Sequence, residues 1–216
     1  MSNACVFCCN LFQLFTRFKL SSPAPLILAL KMGNITEAIR LLTVGYVNVN
    51  ERDEISGLTA LHYAAINGFV PVLKILLQND AVVDSRNYEN STPLHLASSL
   101  GHLDVIKLLL DSGAVVNARD NRNMTPLHRA ALDTPRDSQI DVITLLLDND
   151  ADIDAVDHLN RTSLFISVEH ADVNATKLFV TRGADMDVRN IDGLSPADVA
   201  KQANFTEIVD LITGEF

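Results

Sequence analysis

The stretch TPLHLAS at residues 92–98 decides the fold of this chain, because related stretches recur along its 216 residues. They begin at Ala24, Thr59, Thr125, Thr162 and Ser195. The complete copies follow one another at steps of 33, 33, 37 and 33 residues, and the degenerate first copy lies 35 residues before the second. A fixed period of this length predicts a stack of similar units rather than one closed core.

Each copy predicts a pair of helices. The threonine is typical of a helix N-cap, and proline in the first turn removes an amide hydrogen that would otherwise lack a partner. Leu94 and Ala97 then fall at i and i+3 on one face of the first helix. Sixteen residues after Thr92, the aliphatic run 108–110 indicates a second helix, which a loop and a short extended piece follow. Neither helix can bury its apolar face alone, so we expect the units to stack into a linear solenoid.

The period and the Thr-Pro-Leu-His signature resemble those of ankyrin repeats. The resemblance implies a mostly α-helical solenoid of helix–turn–helix units joined by hairpin loops, with about six repeats including the caps. It covers residues 21–216, and residues 1–20 form a separate apolar segment rich in Cys and Phe. The expected units are an N-terminal cap repeat at 21–52, internal repeats at 53–86, 87–119, 120–156 and 157–189, and a C-terminal cap repeat at 190–216.

Two internal repeats depart from the pattern. The fourth has Ser163 in place of proline, Phe165 in place of histidine and Ala171 in place of the turn glycine, so we expect it to be the least stable internal unit. The third carries four additional residues within Asp133–Gln139, which we interpret as a surface loop. Thr134 precedes a proline in that loop and is a candidate phosphorylation site.

Composition limits the class of protein. Seventeen basic and 27 acidic residues give a net charge of −10, which disfavours general binding to nucleic acid. The three cysteines lie within the first nine residues, so no disulfide is expected in the repeats. We therefore expect a monomeric cytoplasmic protein, and nuclear localisation is kept as an alternative. Asn90, Asn123 and Asn160 begin glycosylation-like Asn-x-Thr triplets, but in hairpins asparagine also replaces glycine because it tolerates left-handed backbone.

No catalytic, cofactor-binding or metal-binding residues are predicted. His62, His95 and His128 occur once per repeat, and the family resemblance implies that they tie the hairpin backbone in place. The glycine-rich phosphate-binding motifs Gly-x-x-x-x-Gly-Lys-Ser/Thr and Gly-x-Gly-x-x-Gly do not occur in the sequence. The Cys5, Cys8 and Cys9 group has no companion histidines or second cysteine pair, which disfavours a complete zinc site.

The resemblance implies instead a concave groove, lined by hairpin tips and first helices, that binds protein partners. The residues transferred to this groove are Ile55, Leu58, Ile66, Tyr88, Leu100, Arg122, Met124, Leu132, His158, Leu159, Arg161 and His170. Clustered apolar side chains at solvated positions indicate an interface. The alternative is that some of them fold onto neighbouring hairpins.

Residues 1–20 allow several interpretations. Apolar residues recur there at helical spacing, at Phe7, Leu11, Leu14 or Phe15, and Phe18, and the segment has a charge of +2. It is interpreted as a helix covering the first repeat, as a membrane-associated foot with acylated cysteines, or as a tail without fixed structure. Its twelve-residue apolar run is shorter than the roughly 20 residues that a membrane-spanning helix needs.

These patterns together predict a non-enzymatic adaptor or inhibitor that binds a protein partner in its groove. One alternative is a membrane-associated tether that uses residues 1–20. Another is an inhibitor of Rel-type transcription factors, because the chain resembles such inhibitors in its number of repeats and in its acidity. Such an inhibitor would lack regulatory tails, because no Asp-Ser-Gly sequence precedes the repeats and no acidic tail follows them.

Overall fold

A computed structural model describes residues 24–45 and 47–214 of the chain. Within those residues it contains twelve α-helices and no strand, apart from one isolated bridge between Arg52 and Thr59. The helices are α1 (Pro25–Lys31), α2 (Ile35–Val44), α3 (Ala60–Ile66), α4 (Val70–Gln78), α5 (Pro93–Leu100), α6 (Leu103–Asp111), α7 (Pro126–Asp133), α8 (Arg136–Leu147), α9 (Ser163–Glu169), α10 (Val173–Thr181), α11 (Pro196–Gln202) and α12 (Thr206–Thr213).

The predicted caps begin the first helix of each complete repeat. Thr59, Thr92, Thr125 and Ser195 each form a reciprocal capping box with the third residue of the helix. Thr162 lacks the histidine partner, and its side chain accepts a hydrogen bond from the amide of Phe165 at 3.2 Å. The repeat signature therefore encodes the start of each first helix directly.

The helices form two layers. The odd-numbered helices make an inner layer in which each contacts the odd-numbered helix before and after it, and the even-numbered helices make an outer layer in the same way. The main remaining contacts join the two helices of one pair. This arrangement confirms the all-α repeat solenoid predicted from the period.

The core lies between the two layers and runs through the stack. Leu61, Leu94, Leu127 and Leu164 occupy the same position in successive inner helices, and each is fully buried. Burying one such side chain stabilises the fold by about 1.5–3 kcal/mol. The apolar stripe of each helix is thus covered by the next repeat, as the sequence predicts.

The additional residues of the third repeat do not form the expected surface loop. They lengthen the outer helix α8 to 12 residues, compared with nine in α6. Thr134 is buried, and its hydroxyl donates a hydrogen bond to the carbonyl oxygen of Ser98. Gln139 is also buried and donates to the carbonyl oxygens of Ala130 and Ala131 near the end of α7. Because these side chains satisfy helix-terminal carbonyls, the interpretation of Thr134 as an accessible phosphorylation site is wrong.

Left-handed backbone occurs where the sequence predicts it. Asn90, Asn123 and Asn160 have φ angles of 59°, 59° and 57° at their hairpin turns. Ala171 has a φ of 52° after α9, a conformation that costs an alanine free energy. Residues 1–20, with their predicted cap helix or membrane foot, lie outside the described residues. No helix in the described part of the chain is long and apolar enough to cross a membrane.

Candidate functional site

Backbone hydrogen bonds join the hairpin tips into a row. In each bond the amide of one tip donates to a carbonyl oxygen of the preceding tip, at 2.9–3.0 Å. The donor–acceptor pairs are Tyr88–Ser56, Asn121–Glu89, His158–Arg122 and Ile191–Leu159. The tips therefore hold fixed positions relative to one another along one edge of the solenoid.

Buried histidines fix each hairpin to the repeat before it. The ring Nε2 atoms of His62, His95 and His128 lie 3.0–3.1 Å from carbonyl oxygens of the following hairpin, and their Nδ1 atoms lie 2.8–2.9 Å from the capping threonine hydroxyls. Burial lowers the pKa of His62 and of His95 to about 4, and lowers that of His128 in the same direction. These neutral side chains hold the hairpin backbone in place, as the family resemblance implies.

The base of each hairpin is held by one Asp or Asn side chain. The Oδ1 atom of Asp157, for example, accepts hydrogen bonds from the amides of Leu159 and Arg161, at 2.8 and 2.9 Å. Arg161 also pairs with the other oxygen of Asp157 at 2.8 Å and with Glu169 at 2.6 Å. Arg161 is half-buried, and its charge is engaged within the fourth repeat rather than presented to the groove.

Four of the predicted groove residues surround one cavity. It has a volume of about 390 Å³ and lies between the first two hairpins and the helices α3 and α5. Its lining residues are Ile55, Ser56, Leu58, Ile66, Asn87, Tyr88, Glu89 and Leu96. The exposed fraction is 86% for Ile55 and 57% for Tyr88, so two large apolar side chains stand open to solvent at its rim.

Sequence reasoning missed Leu96 in this cavity. Leu96 directly follows His95 in α5. The residues that follow the equivalent histidines of the first and third repeats are Tyr63 and Arg129. Variation in size and charge at one position of an otherwise regular repeat is a signal that could have found it, since the core position of Leu61, Leu94, Leu127 and Leu164 keeps one residue type.

A glycine supports Tyr88. Gly57, in the first hairpin, has a φ of +70°, and a Cβ atom added there would lie 2.6 Å from Cδ1 of Tyr88. The aromatic ring therefore packs directly on the glycine backbone. Sequence reasoning did not identify this contact, which places Tyr88 in a fixed position beside Ile55.

The remaining predicted residues continue the row toward the C-terminal repeats. Leu100 is exposed at the end of α5, and Leu132 is half-buried near the end of α7. Arg122 and His158 are exposed at adjacent tips, where Nδ1 of His158 lies 3.0 Å from the carbonyl oxygen of Arg122. Two further members of the predicted set are the half-buried Leu159 and the exposed His170.

The prediction that Met124 is an exposed contact residue is wrong. Only 1% of Met124 is exposed, and its side chain belongs to the core. Its amide donates to Asp120 at 3.0 Å, and its carbonyl oxygen lies 3.1 Å from Nε2 of His95. Because both backbone groups are held in this way, the side chain turns inward just before the helix cap. The described residues contain no cluster of His, Cys, Asp and Glu suited to a metal ion.

Comparisons with known proteins agree with this geometry. A family model described as ankyrin repeats, in three copies, matches residues 8–87, 26–120 and 84–157. A curated relative, the palmitoyltransferase AKR1 of Yarrowia lipolytica, is 39% identical over 62 residues. That stretch is 29% of this chain and 9% of the length of the palmitoyltransferase.

Proposed function

The chain belongs to the ankyrin-repeat family, and we propose that it is a non-enzymatic adaptor or inhibitor that holds a protein partner in its concave groove. Ankyrin repeats are protein-interaction modules, and the family is generally non-catalytic. The observation that carries the proposal is the cavity between the first two hairpins, with Ile55 and Tyr88 open at its rim.

The cavity suits a large apolar side chain of the partner. Its volume of about 390 Å³ falls within the range of roughly 300–1,000 Å³ typical of ligand pockets. Leu58, Ile66 and Leu96 form its half-buried walls. An anchor residue inserted between Ile55 and Tyr88 would desolvate both, and such central, desolvated contacts contribute most of the binding energy in protein interfaces.

The fixed positions of the tips support tight binding. Tyr88 is held by the backbone bond to Ser56 and by its packing on Gly57, so little side-chain freedom remains to be lost on binding. The net charge of −10 favours a partner with a basic surface, through faster association rather than through any one ion pair. We therefore expect the partner to present a large apolar residue within a basic region.

The test is co-precipitation from an extract of the chain's own cells, with partners identified by mass spectrometry. The double variant Ile55→Ala/Tyr88→Ala removes the rim of the cavity. The matched control is Val82→Ala/Val115→Ala, which removes two apolar side chains, 54% and 53% exposed, from the loops after the outer helices. Both variants must first show the helical circular dichroism of the unaltered chain.

We expect a partner that is retained by the unaltered chain and by the Val82/Val115 variant and is lost from the Ile55/Tyr88 variant. A partner retained equally by all three would contradict binding at this cavity. A partner that the Val82/Val115 variant alone loses would move the interface to the outer loops.

A further inference from the structure

Arginine side chains join neighbouring hairpins from the residue that precedes each hairpin base. Nη1 of Arg86 donates to the carbonyl oxygen of Asn90 in its own hairpin, at 2.9 Å, and to that of Arg119 before the third hairpin, at 2.7 Å. Arg119 repeats the pattern one hairpin further on, where it donates to the carbonyl oxygens of Asn123 and Val156 at 3.1 and 2.7 Å. Two equivalent side chains therefore tie the second, third and fourth hairpins together.

The series stops before the fifth hairpin. Val156 stands at the position of Arg119, and its side chain has no donor. The carbonyl oxygen that an arginine there would reach belongs to Arg189, and it accepts a hydrogen bond from the side-chain amide of Asn160. Asn123 makes the equivalent amide bond to Val156, but there it adds to the bond from Arg119. The fifth hairpin thus keeps one of the two side-chain bonds that hold the fourth.

The buried histidines stop at the same junction. Nε2 of His128 lies 3.1 Å from the carbonyl oxygen of Arg161 in the fourth hairpin. Phe165 takes the place of this histidine in the next repeat and has no ring nitrogen. The equivalent carbonyl oxygen, that of Leu194, accepts the amide of Asn190 at 3.0 Å. Within the described part of the chain, the arginine and histidine ties are therefore lost together between the fourth repeat and the C-terminal cap repeat.

The outer helices show the same difference. Arg182 at the end of α10 pairs with Asp148 at the end of α8, at 2.9 Å. Arg136 in α8 pairs with Asp172, which is the N-cap of α10. No ion pair joins α10 to α12, and both helices lie wholly within the described residues. The outer helix of the cap repeat thus lacks the ion pairs that hold the helix before it.

The cap repeat also buries little apolar surface. In α11 the buried residues are Pro196 and Ala200, and in α12 they are Ile208 and Ile212. By comparison, α9 alone buries a leucine, a phenylalanine, an isoleucine and a valine. Because hydrophobic stabilisation is roughly proportional to the apolar area buried, the cap repeat is also held less strongly by its apolar contacts.

We infer that the C-terminal cap repeat, with residues 189–214 as its described part, opens as one unit at its junction with the fourth repeat while the other repeats stay folded. Among the described residues, this unit is joined to the fourth repeat by the backbone bond from Ile191 to Leu159 and the side-chain bond from Asn160. In a solenoid each repeat contacts only its neighbours, so a terminal unit opens at the cost of one interface.

The two helices of the unit open together because α11 and α12 pack on each other. Opening uncovers the faces of α9 and α10 on which they pack. It leaves intact the cavity between the first two hairpins, and so it is independent of the function proposed for that cavity. The protein thus has a second state in which the C-terminal end of the solenoid is open.

Hydrogen exchange of the full chain, followed by mass spectrometry of peptic peptides, tests this opening. We expect the amides of α11 and α12 to exchange at least about tenfold faster than those of α5 to α8, relative to the rates of the same amides without structure. The two helices should also share one dependence on low concentrations of urea, because a single opening exposes both.

Val156→Arg tests the origin of the weak junction by restoring the missing donor. Arg86 and Arg119 already occupy successive positions of this kind, so an arginine that bonds to the carbonyl oxygen of Arg189 fits the pattern. We expect exchange in α11 and α12 to slow by about threefold to tenfold, the effect of one additional hydrogen bond. The matched control is Val82→Arg, at a 54% exposed position in the loop after α4, which should leave those rates unchanged.

Four outcomes would overturn the inference. Equal protection of α5 to α12 would mean that the cap repeat does not open separately. Loss of protection in α12 alone would indicate fraying of the last helix, and loss in α9 and α10 as well would place the junction between the third and fourth repeats. Unchanged exchange in Val156→Arg would show that the missing arginine does not set the junction.

Discussion

Nη2 of Arg129 lies 2.6 Å from Oδ2 of Asp120, and only 1% of the Asp120 side chain is exposed. Asp120 is at the base of the third hairpin, where Oδ1 accepts the amides of Arg122 and Met124. Burial opposes its ionisation, but the hydrogen bonds from Arg129 and from the Met124 amide outweigh it, so the pKa of Asp120 lies below its usual range. The ion pair therefore keeps a buried carboxylate charged.

The other hairpins follow the same rule. Asp53 pairs with Lys31 at 3.0 Å, and Asp157 pairs with Arg161. The second and fifth hairpins have Asn87 and Asn190 at this position. The cation does not come from one fixed position, because the place of Arg129 is taken by tyrosine and isoleucine in the first and fourth repeats and by leucine and valine in the second and fifth. A cation thus pairs with the hairpin base in each of the three hairpins where the base is an acid.

This relationship predicts that Arg129→Leu destabilises the protein by about 3 kcal/mol, because it leaves the buried Asp120 carboxylate without its cation. The double variant Asp120→Asn/Arg129→Leu should recover most of the loss, since it reproduces the Asn87 and Leu96 pair of the second repeat. Urea denaturation of the two variants provides the measurement. A double variant as unstable as the single one would show that the pair is not coupled.

The left-handed conformation of Ala171 predicts that Ala171→Gly stabilises the fourth repeat by about 0.5–1 kcal/mol, because glycine adopts a positive φ without the steric cost of a Cβ. The reverse change at the same position of the N-terminal cap repeat, Gly33→Ala, provides the matched control. A Cβ at Gly33 has no atom within 4 Å, so only the backbone conformation is altered and stability should fall by a similar amount. Thermal and urea unfolding measure both changes, and stabilisation by Gly33→Ala would contradict the argument.

The buried histidines predict a loss of stability in mild acid. Their folded pKa values are lowered, to about 4 for His62 and His95, so the unfolded chain takes up protons first as the pH falls below about 6.5. Their contribution to stability is complete above that pH and is lost progressively toward pH 4. The paired carboxylates have lowered pKa values, so their contribution is lost only below about pH 4.

We expect each of these two histidines to account for a decrease of about 2 kcal/mol in the free energy of unfolding between pH 7 and pH 4.5. The measurement is urea unfolding at several pH values within this window. His95→Gln should lower stability at pH 7 and reduce the dependence on pH. Equal pH profiles for the unaltered chain and His95→Gln would refute the assignment.

The contact between Gly57 and Tyr88 predicts a larger penalty for Gly57→Ala than for Gly33→Ala. Both glycines have a positive φ, but only at Gly57 would the new methyl group meet an aromatic ring at 2.6 Å. We expect a coupling energy of about 0.5–1 kcal/mol with Tyr88→Ala, measured by a double-mutant cycle in urea. Strict additivity of the two substitutions would mean that the ring moves away without cost.

Much of the fold is predictable from the sequence because each repeat encodes its own local structure. Thr92 caps a helix and Asn90 adopts a left-handed turn for reasons that involve only their near neighbours. His95 is predictable from its recurrence, although its partner carbonyl belongs to the next repeat. A regular period turns such a distant contact into a repeated sequence signal.

The groove is less predictable because it depends on the direction in which each side chain points between repeats. Met124 turns into the core because two backbone bonds hold it just before a helix cap, and no local pattern states this. Leu96 reaches the cavity wall only because two repeats stack at a particular distance. Residues 136–139 of the third-repeat insertion likewise become helix, and Thr134 and Gln139 donate hydrogen bonds to carbonyl oxygens of other helices.

The lengthened helix α8 makes the third repeat longer in sequence without increasing the distance between its hairpin tip and the next one. The third and fourth hairpins are four residues further apart along the chain than most, yet the bond from His158 to Arg122 measures 2.9 Å, the same as that from Asn121 to Glu89. Extra residues are absorbed by the outer layer while the row of tips keeps its pitch. Insertions and deletions can therefore accumulate in the outer layer of helices during evolution without changing the spacing of the hairpin tips.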